Sequence, residues 1–366
     1  MRAEIELRSV WAPGRVNLIG EHIDYHNLPV LPMALRQGIR IAYRPRADHL
    51  IRASSEGFGA REFEWTGRLG RVAAGDWENY LRAAAQLVAD RWGAGQGVDA
   101  EIEADLPPAA GLSSSSALIV AFTLCLLGAS GRQTGFEELM EVLPGGEHFV
   151  GTRGGGMDHA ASLASRAGFA SLVSFQPAAV RYVRVPEDWA FLVAHSLERA
   201  EKSGAVREAY NRIRSAGETA LAKSGANLSA EERAAYDHVT GESARVRDAA
   251  EAMRQGDAVR FGQMLAASHA SLRDRLRVSS AALDELVDTA IAGGALGARL
   301  TGAGFGGCAV MLSRRADRPR LREHLIREFY ARRAGFEEAQ HLIDAEPGPG
   351  ALDAANIVHS GISRLG

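Results

Sequence analysis

Apolar side chains recur along this chain with two different periods. Alternation at every second position marks a strand at residues 38–43. Short apolar runs between turn residues mark others at 4–10, 98–104, 169–175, 190–194 and 308–312. Helical spacing predicts helices over 76–92, 117–128 and 136–142, and Pro144-Gly145-Gly146 should interrupt the last. From 202 to 292 the pattern is largely helical, with a break at 224–229. Residues 13–32 read as a polar, turn-rich loop, and glycine- or serine-rich loops fall at 111–116, 151–156 and 301–307. Strands and helices mix in both halves, so the pattern favours an α+β fold. No internal repeat or low-complexity tract stands out.

Composition narrows this picture. At 366 residues the chain exceeds what one core usually serves, and we expect two domains, 1–180 and 181–366. Hydrophobic residues make up 46% and charged residues 24%, with a formal net charge of -3, so no nucleic-acid partner is implied. The longest apolar run, 118–127, is too short to span a bilayer, and residues 1–10 lack a signal-peptide pattern. The expectation is a cytoplasmic protein without a membrane partner. Cys125 and Cys308 sit in apolar stretches and read as reduced core residues. Lys202 and Lys223 are the only lysines, and neither follows the glycine pattern of a P-loop. If this chain handles a nucleotide, backbone N–H groups, a divalent cation and arginine must neutralise the phosphates.

Four constellations carry candidate chemistry. Arg15, Glu21, His22 and Asp24 lie in a segment beside Gly14 and Gly20. Carboxylates on a rigid loop suit sugar hydroxyls, and the same residues also read as a polar surface turn. Gly111 with Ser113, Ser114, Ser115 and Ser116 stands where a helix begins, either as an anion site or as an ordinary serine cap. Gly154-Gly155-Gly156-Met157-Asp158 offers close backbone approach and a carboxylate that can meet a hydroxyl, or simply a capped turn. The run 300–307 is a glycine loop feeding a strand, suited to phosphate contact or to packing.

In this order, the four segments resemble the galactokinases of the GHMP kinase family. Trp77-Glu78-Asn79-Tyr80, Tyr210-Asn211-Arg212 and residues 268–274 extend the likeness over most of the chain. The resemblance implies the two-domain α+β GHMP architecture, a ribosomal protein S5 domain 2-like N-terminal domain followed by a ferredoxin-like C-terminal domain. It implies transfer of the γ-phosphoryl of ATP, with Mg²⁺, to the anomeric hydroxyl of galactose. Carried over by position, Asp158 matches the catalytic aspartate and Arg15 the arginine beside it. Glu21, His22, Asp24, Gly155 and Tyr210 match sugar contacts. Gly111, Ser113, Ser114 and Ser115 match the ATP loop. Ser115 matches the magnesium hydroxyl, and Glu147 is the candidate magnesium carboxylate. Departures are Ala109 for a glycine, Asn27 for a glycine, His159 for a glutamine, and a Glu147 one residue nearer Asp158 than usual. Alternatives within and beyond this class are an N-acetylgalactosamine kinase and a non-catalytic galactose and ATP sensor. A monomer or weak homodimer is expected.

Overall fold

The computed structural model describes residues 7–106, 111–151, 154–198 and 204–353. The first half runs β1 (Arg8–Ile19), β2 (Leu31–Pro45), β3 (Leu50–Ser55), β4 (Gly59–Glu64), α1 (Glu78–Trp92) and β5 (Val98–Ala104). Then come α2 (Ser114–Ala129), α3 (Phe136–Val142), α4 (Pro144–Val150), α5 (Met157–Ala164), β6 (Phe169–Phe175) and β7 (Ala178–Arg184). The second half runs β8 (Trp189–His195), α6 (Ala205–Ala222), α7 (Ala230–Gln255), α8 (Ala258–Ser271), α9 (Ala281–Ala292) and β9 (Gly297–Thr301). It closes with β10 (Cys308–Arg314), α10 (Arg318–Glu328), α11 (Glu338–His341) and β11 (Leu342–Ala345).

The first sheet has the order β1-β2-β5-β3-β4 and is antiparallel except for β3 beside β5. On β5, Val98, Ala100 and Ile102 are buried and their neighbours Asp99, Glu101 and Glu103 are exposed, the mark of a sheet with one wet face. Against its dry face lies α2, buried at every position from Ser116 to Ala129. A helix apolar all round has no solvent face to offer and sits at the centre of a layer. The second sheet, β11-β8-β10-β9, is wholly antiparallel and packs helices on its own apolar cluster, built on Leu192, Leu286, Leu300 and Phe329. Among the described residues, no helix is long and apolar enough to cross a membrane.

Two local expectations need correction, and a third gains a detail. Residues 13–19 are strand, not loop: Val16, Leu18 and Ile19 are fully buried, Val16 and Ile19 pair with Met33 and Leu31 of β2, and a register shift between Pro13 and Arg15 absorbs the Pro-Gly signal. Gly14 sits there because a Cβ would meet Leu106 Cδ2 at 2.4 Å and the Leu112 carbonyl at 2.8 Å. The helix expected from 117 begins at Ser114. Pro144 does break α3, but it also occupies the first turn of α4, where its missing N–H costs nothing. Glu147 is thereby buried in the first turn of a new helix.

Residues 348–351 return to the first half. Gly348 N–H donates to Ala34 O at 2.9 Å, Gly350 N–H to Ser165 O at 2.6 Å, and Ala351 N–H to Ser162 O at 2.8 Å.

Candidate active site

Arg15 organises the centre of the cleft. It leaves β1 just after the register shift, and its backbone N–H donates to Leu112 O at 3.1 Å, which ties the strand to the approach of α2. Its Nε donates to Asp158 Oδ1 at 2.7 Å and its Nη1 to Gly111 O at 2.9 Å. Asp158 stands in the first turn of α5, with its side chain 26% exposed. Burial alone would raise its carboxyl, but the Arg15 guanidinium and the Ser113 hydroxyl outweigh that and hold it at about 2. Asp158 is therefore a charged acceptor and a weak base at neutral pH.

The serine run divides by face. Ser113 takes a left-handed conformation at the helix cap, φ 58°, and donates its hydroxyl to Asp158 Oδ2. Ser116, one turn on, donates to Glu147 Oε1 at 2.8 Å and reaches Asp158 Oδ2 at 3.4 Å. Ser114 is exposed and Ser115 half-buried. The hydroxyl that meets Glu147 is thus that of Ser116, which adjoins Ser115, the magnesium hydroxyl of the sequence reading. Positions i and i+3 of a helix share a face, so Ser113 and Ser116 look inward together. Among the described residues no side chain caps the N-terminus of α2, so its first amides are placed to receive an anion. Residues 107–110, with Ala109, lie outside the described residues, as do Thr152 and Arg153.

Asp24, in the turn Asp24–His26, faces Asp158 across the cleft. It accepts a long bond, 3.4 Å, from Met157 N–H. Burial, then the charge of Asp158, pushes its carboxyl up to about 6. Gly155 lies against it: a Cβ there would fall 2.1 Å from Asp24 Oδ2, so only glycine fits. Asn27 follows in the left-handed region, φ 61°, which asparagine tolerates.

His22 is spent on structure. Its Nε2 lies 3.1 Å from Ala303 O, an obligate acceptor, so Nε2 carries the proton and Nδ1 accepts from Tyr25 Oη at 2.8 Å. Burial, then the neighbouring His238, brings it down to about 3 and keeps it neutral. Tyr210, from α6, sets its ring 5.3 Å from His22 and 5.7 Å from Tyr25. Glu21 accepts from Asn17 Nδ2 at 2.7 Å and from Gly302 N–H at 2.9 Å, and pairs with Arg299. Burial still pushes its carboxyl up, against the Arg299 charge.

One cleft brings together Arg15, Glu21, His22, Asp24, Asp158 and Tyr210, with Glu147, Gly155 and Ser116. Ser116 and Thr301 lie in two of the constellations above without a role of their own, and Arg299 and Glu242 were not singled out from the sequence. Only the position of Arg299, beside the glycine run, hinted at the site. His159 lies behind Asp158, fully buried, and neither ring nitrogen has a partner among the described residues. No group of three metal-ligating side chains exists among the described residues. Glu147 with an adjoining serine hydroxyl is instead a donor set for Mg²⁺, which is held by one or two carboxylates and the substrate's own phosphates. Two larger hollows, one between α6 and α7 and one beside α1, lack the Arg15–Asp158 pair.

Comparison with known proteins agrees with this geometry. Residues 4–45 match the galactokinase galactose-binding signature, 79–166 the GHMP kinases N terminal domain and 249–332 the GHMP kinases C terminal domain. The chain is 38% identical to a galactokinase of Chloroflexus aurantiacus over 82% of each chain. It is 34% identical to one of Roseiflexus over 88% of this chain and 87% of that one. A Lactococcus lactis galactokinase solved with galactose superimposes with a TM-score of 0.84 at 26% identity, covering 94% of each chain. A mevalonate kinase of L. major, 20% identical with a TM-score of 0.66, shares the fold. The arginine-bound aspartate, the uncapped serine helix and the sugar signature therefore belong together, and the chain is a member of the galactokinases within the GHMP kinase family.

Proposed function

We propose that this galactokinase moves the γ-phosphoryl of ATP onto O1 of galactose through Asp158 and Arg15. The sugar signature, the galactokinase relatives and the galactose-bound structural neighbour support galactose as the acceptor. N-acetylgalactosamine kinase and sensor readings are not favoured, and the serine run that a sensor can lack is intact here.

The observation that carries the assignment is the Arg15–Asp158–Ser113 cluster at the uncapped end of α2. Asp158 orients the O1 hydroxyl. With its carboxyl near 2, it takes the proton only once O1 has become acidic through bond formation to phosphorus. Arg15 neutralises charge on the moving phosphoryl group, and the free amides of α2 receive the phosphates that stay behind. Glu21, His22, Asp24, Gly155 and Tyr210 bound the sugar, and Gly111, Ser113, Ser114 and Ser115 the nucleotide. Glu147, with Ser115 or Ser116, would hold Mg²⁺, which screens the phosphate charge when bound.

In this reading, residues 1–180 supply the sugar signature and phosphate loop, and 181–366 the glycine motif. The cleft is complete within one chain, which supports a monomer or weak homodimer. Two buried cysteines, Cys125 and Cys308, without a disulfide between them, suit the cytoplasm. Asp158→Asn tests the assignment. It should cut kcat by about 10³-fold or more and leave galactose affinity, read by calorimetry, within about 3-fold. Near-normal kcat would reject it.

A further inference from the structure

Glu21 belongs to the first half of the chain, yet both of its oxygens are held by a single stretch of the second half. Arg299, on β9, pairs with Oε2, while Gly302 N–H reaches Oε1 at 2.9 Å and Thr301 Oγ1 reaches it at 3.3 Å. Arg299 is 0% exposed and Glu21 2%. A guanidinium cannot shed its charge when buried, so it must be paired, and here Nη2 meets the carboxylate while Nε has no partner among the described residues. A second donor of Arg299 points the same way. Its Nη1 donates to Leu18 O at 3.0 Å and lies 3.5 Å from Asn17 O, both on the strand that leads into Glu21. Asn17 Nδ2 then returns to Glu21 Oε2 at 2.7 Å. Behind this, Glu242 of α7 accepts from Gly20 N–H at 3.0 Å and from Ser268 Oγ at 2.6 Å, so the loop cannot slide away from Arg299.

An isolated ionised carboxylate at this depth would protonate, and a protonated acid presents a donor where the sugar presents one too. The Arg299 charge works against that outcome, and its guanidinium aims the acceptor. We infer that Arg299 is the positioning residue of the sugar subsite: reaching across from the second half, it holds the Glu21 carboxylate in its place at the cleft, and so sets galactose affinity without touching the sugar. This rests on the galactokinase reading above.

The whole chain is used for the test. Arg299→Lys keeps the charge and loses the fork. It should raise galactose KM, and the calorimetric Kd without nucleotide, by about 10-fold, with ATP KM within about 2-fold, kcat within about 5-fold and the melting transition retained. Thr301→Val, which keeps shape and removes one hydroxyl, should raise galactose KM by about 3-fold and leave ATP KM alone. In a Glu21→Gln background the Arg299→Lys effect on galactose affinity should shrink to about 2-fold or less, because the two residues act as one.

An unchanged galactose KM in folded Arg299→Lys would overturn the inference. So would an equal rise in ATP KM, or additive losses in the double variant. If Arg299→Lys does not fold, Thr301→Val decides on the same two constants. A wild-type chain that binds galactose but makes no sugar phosphate would strike the functional reading instead, and the calorimetric affinities would still judge Arg299.

Discussion

Two carboxylates share the cleft and meet opposite surroundings. Asp158, at the start of α5, has Arg15 and Ser113 on its oxygens and lies at about 2. Asp24, in the turn after β1, has a glycine backbone against it and only backbone N–H groups for partners, Met157 at a long 3.4 Å and Tyr25, and lies at about 6. The two are linked, since the charge fixed on Asp158 is one of the causes that raise Asp24. The cationic end of the cleft is built to hold charge through the reaction. The turn is left undersupplied with donors, so an incoming sugar hydroxyl finds an acceptor that still needs one.

Substitutions can break this contrast. The largest effect beyond Asp158 itself is expected from Arg15→Lys, which loses the fork that grips both Asp158 and Gly111. Single-turnover kinetics should show the phosphoryl-transfer rate down about 10²-fold with galactose affinity little changed. Asp24→Asn should do the reverse, raising galactose KM by about 10-fold or more while the transfer step persists.

The stability of that same variant sharpens the comparison. A carboxyl raised from 3.8 to about 6 on folding costs the native state on the order of 2–3 kcal/mol at pH 7. That deficit is full above pH 6 and vanishes below pH 4. The ligand-free Asp24→Asn chain should therefore melt several degrees higher than wild type at pH 7.5, with the advantage lost near pH 4. The same titration predicts a several-fold rise in wild-type galactose KM as pH falls from 7 to 5, absent in Asp24→Asn. The smallest effect is expected from Ser116→Ala, a few-fold change in the Mg²⁺ concentration at half-maximal rate. A change of that size from Ser115→Ala alone would return the role to Ser115.

Much of this was legible in the sequence because it is local. An unbroken apolar run predicts a central helix, and α2 is one. Glycine and serine density before it marks its N-terminus as an anion site. The helix start was misplaced by three residues, and this hid which hydroxyls meet the carboxylates, those of Ser113 and Ser116. Pro13-Gly14 reads as a turn in any local scheme, and only the pairing with β2 converts it into a strand irregularity. Arg299 was illegible for a different reason. An ion pair between a strand end of one half and a loop of the other leaves no periodic trace, so only the folded chain discloses it.

The homecoming of residues 347–352 bears on how this protein can be cut. Their amides cover carbonyls of Ala34, Ser162 and Ser165, and Gly348 and Gly350 fit so closely that a methyl group at either would strike backbone atoms. A fragment severed after residue 180 would lose this clasp along with Arg299. Splitting the gene between its halves should therefore yield two insoluble pieces, whereas co-expression offers each the surface it lacks.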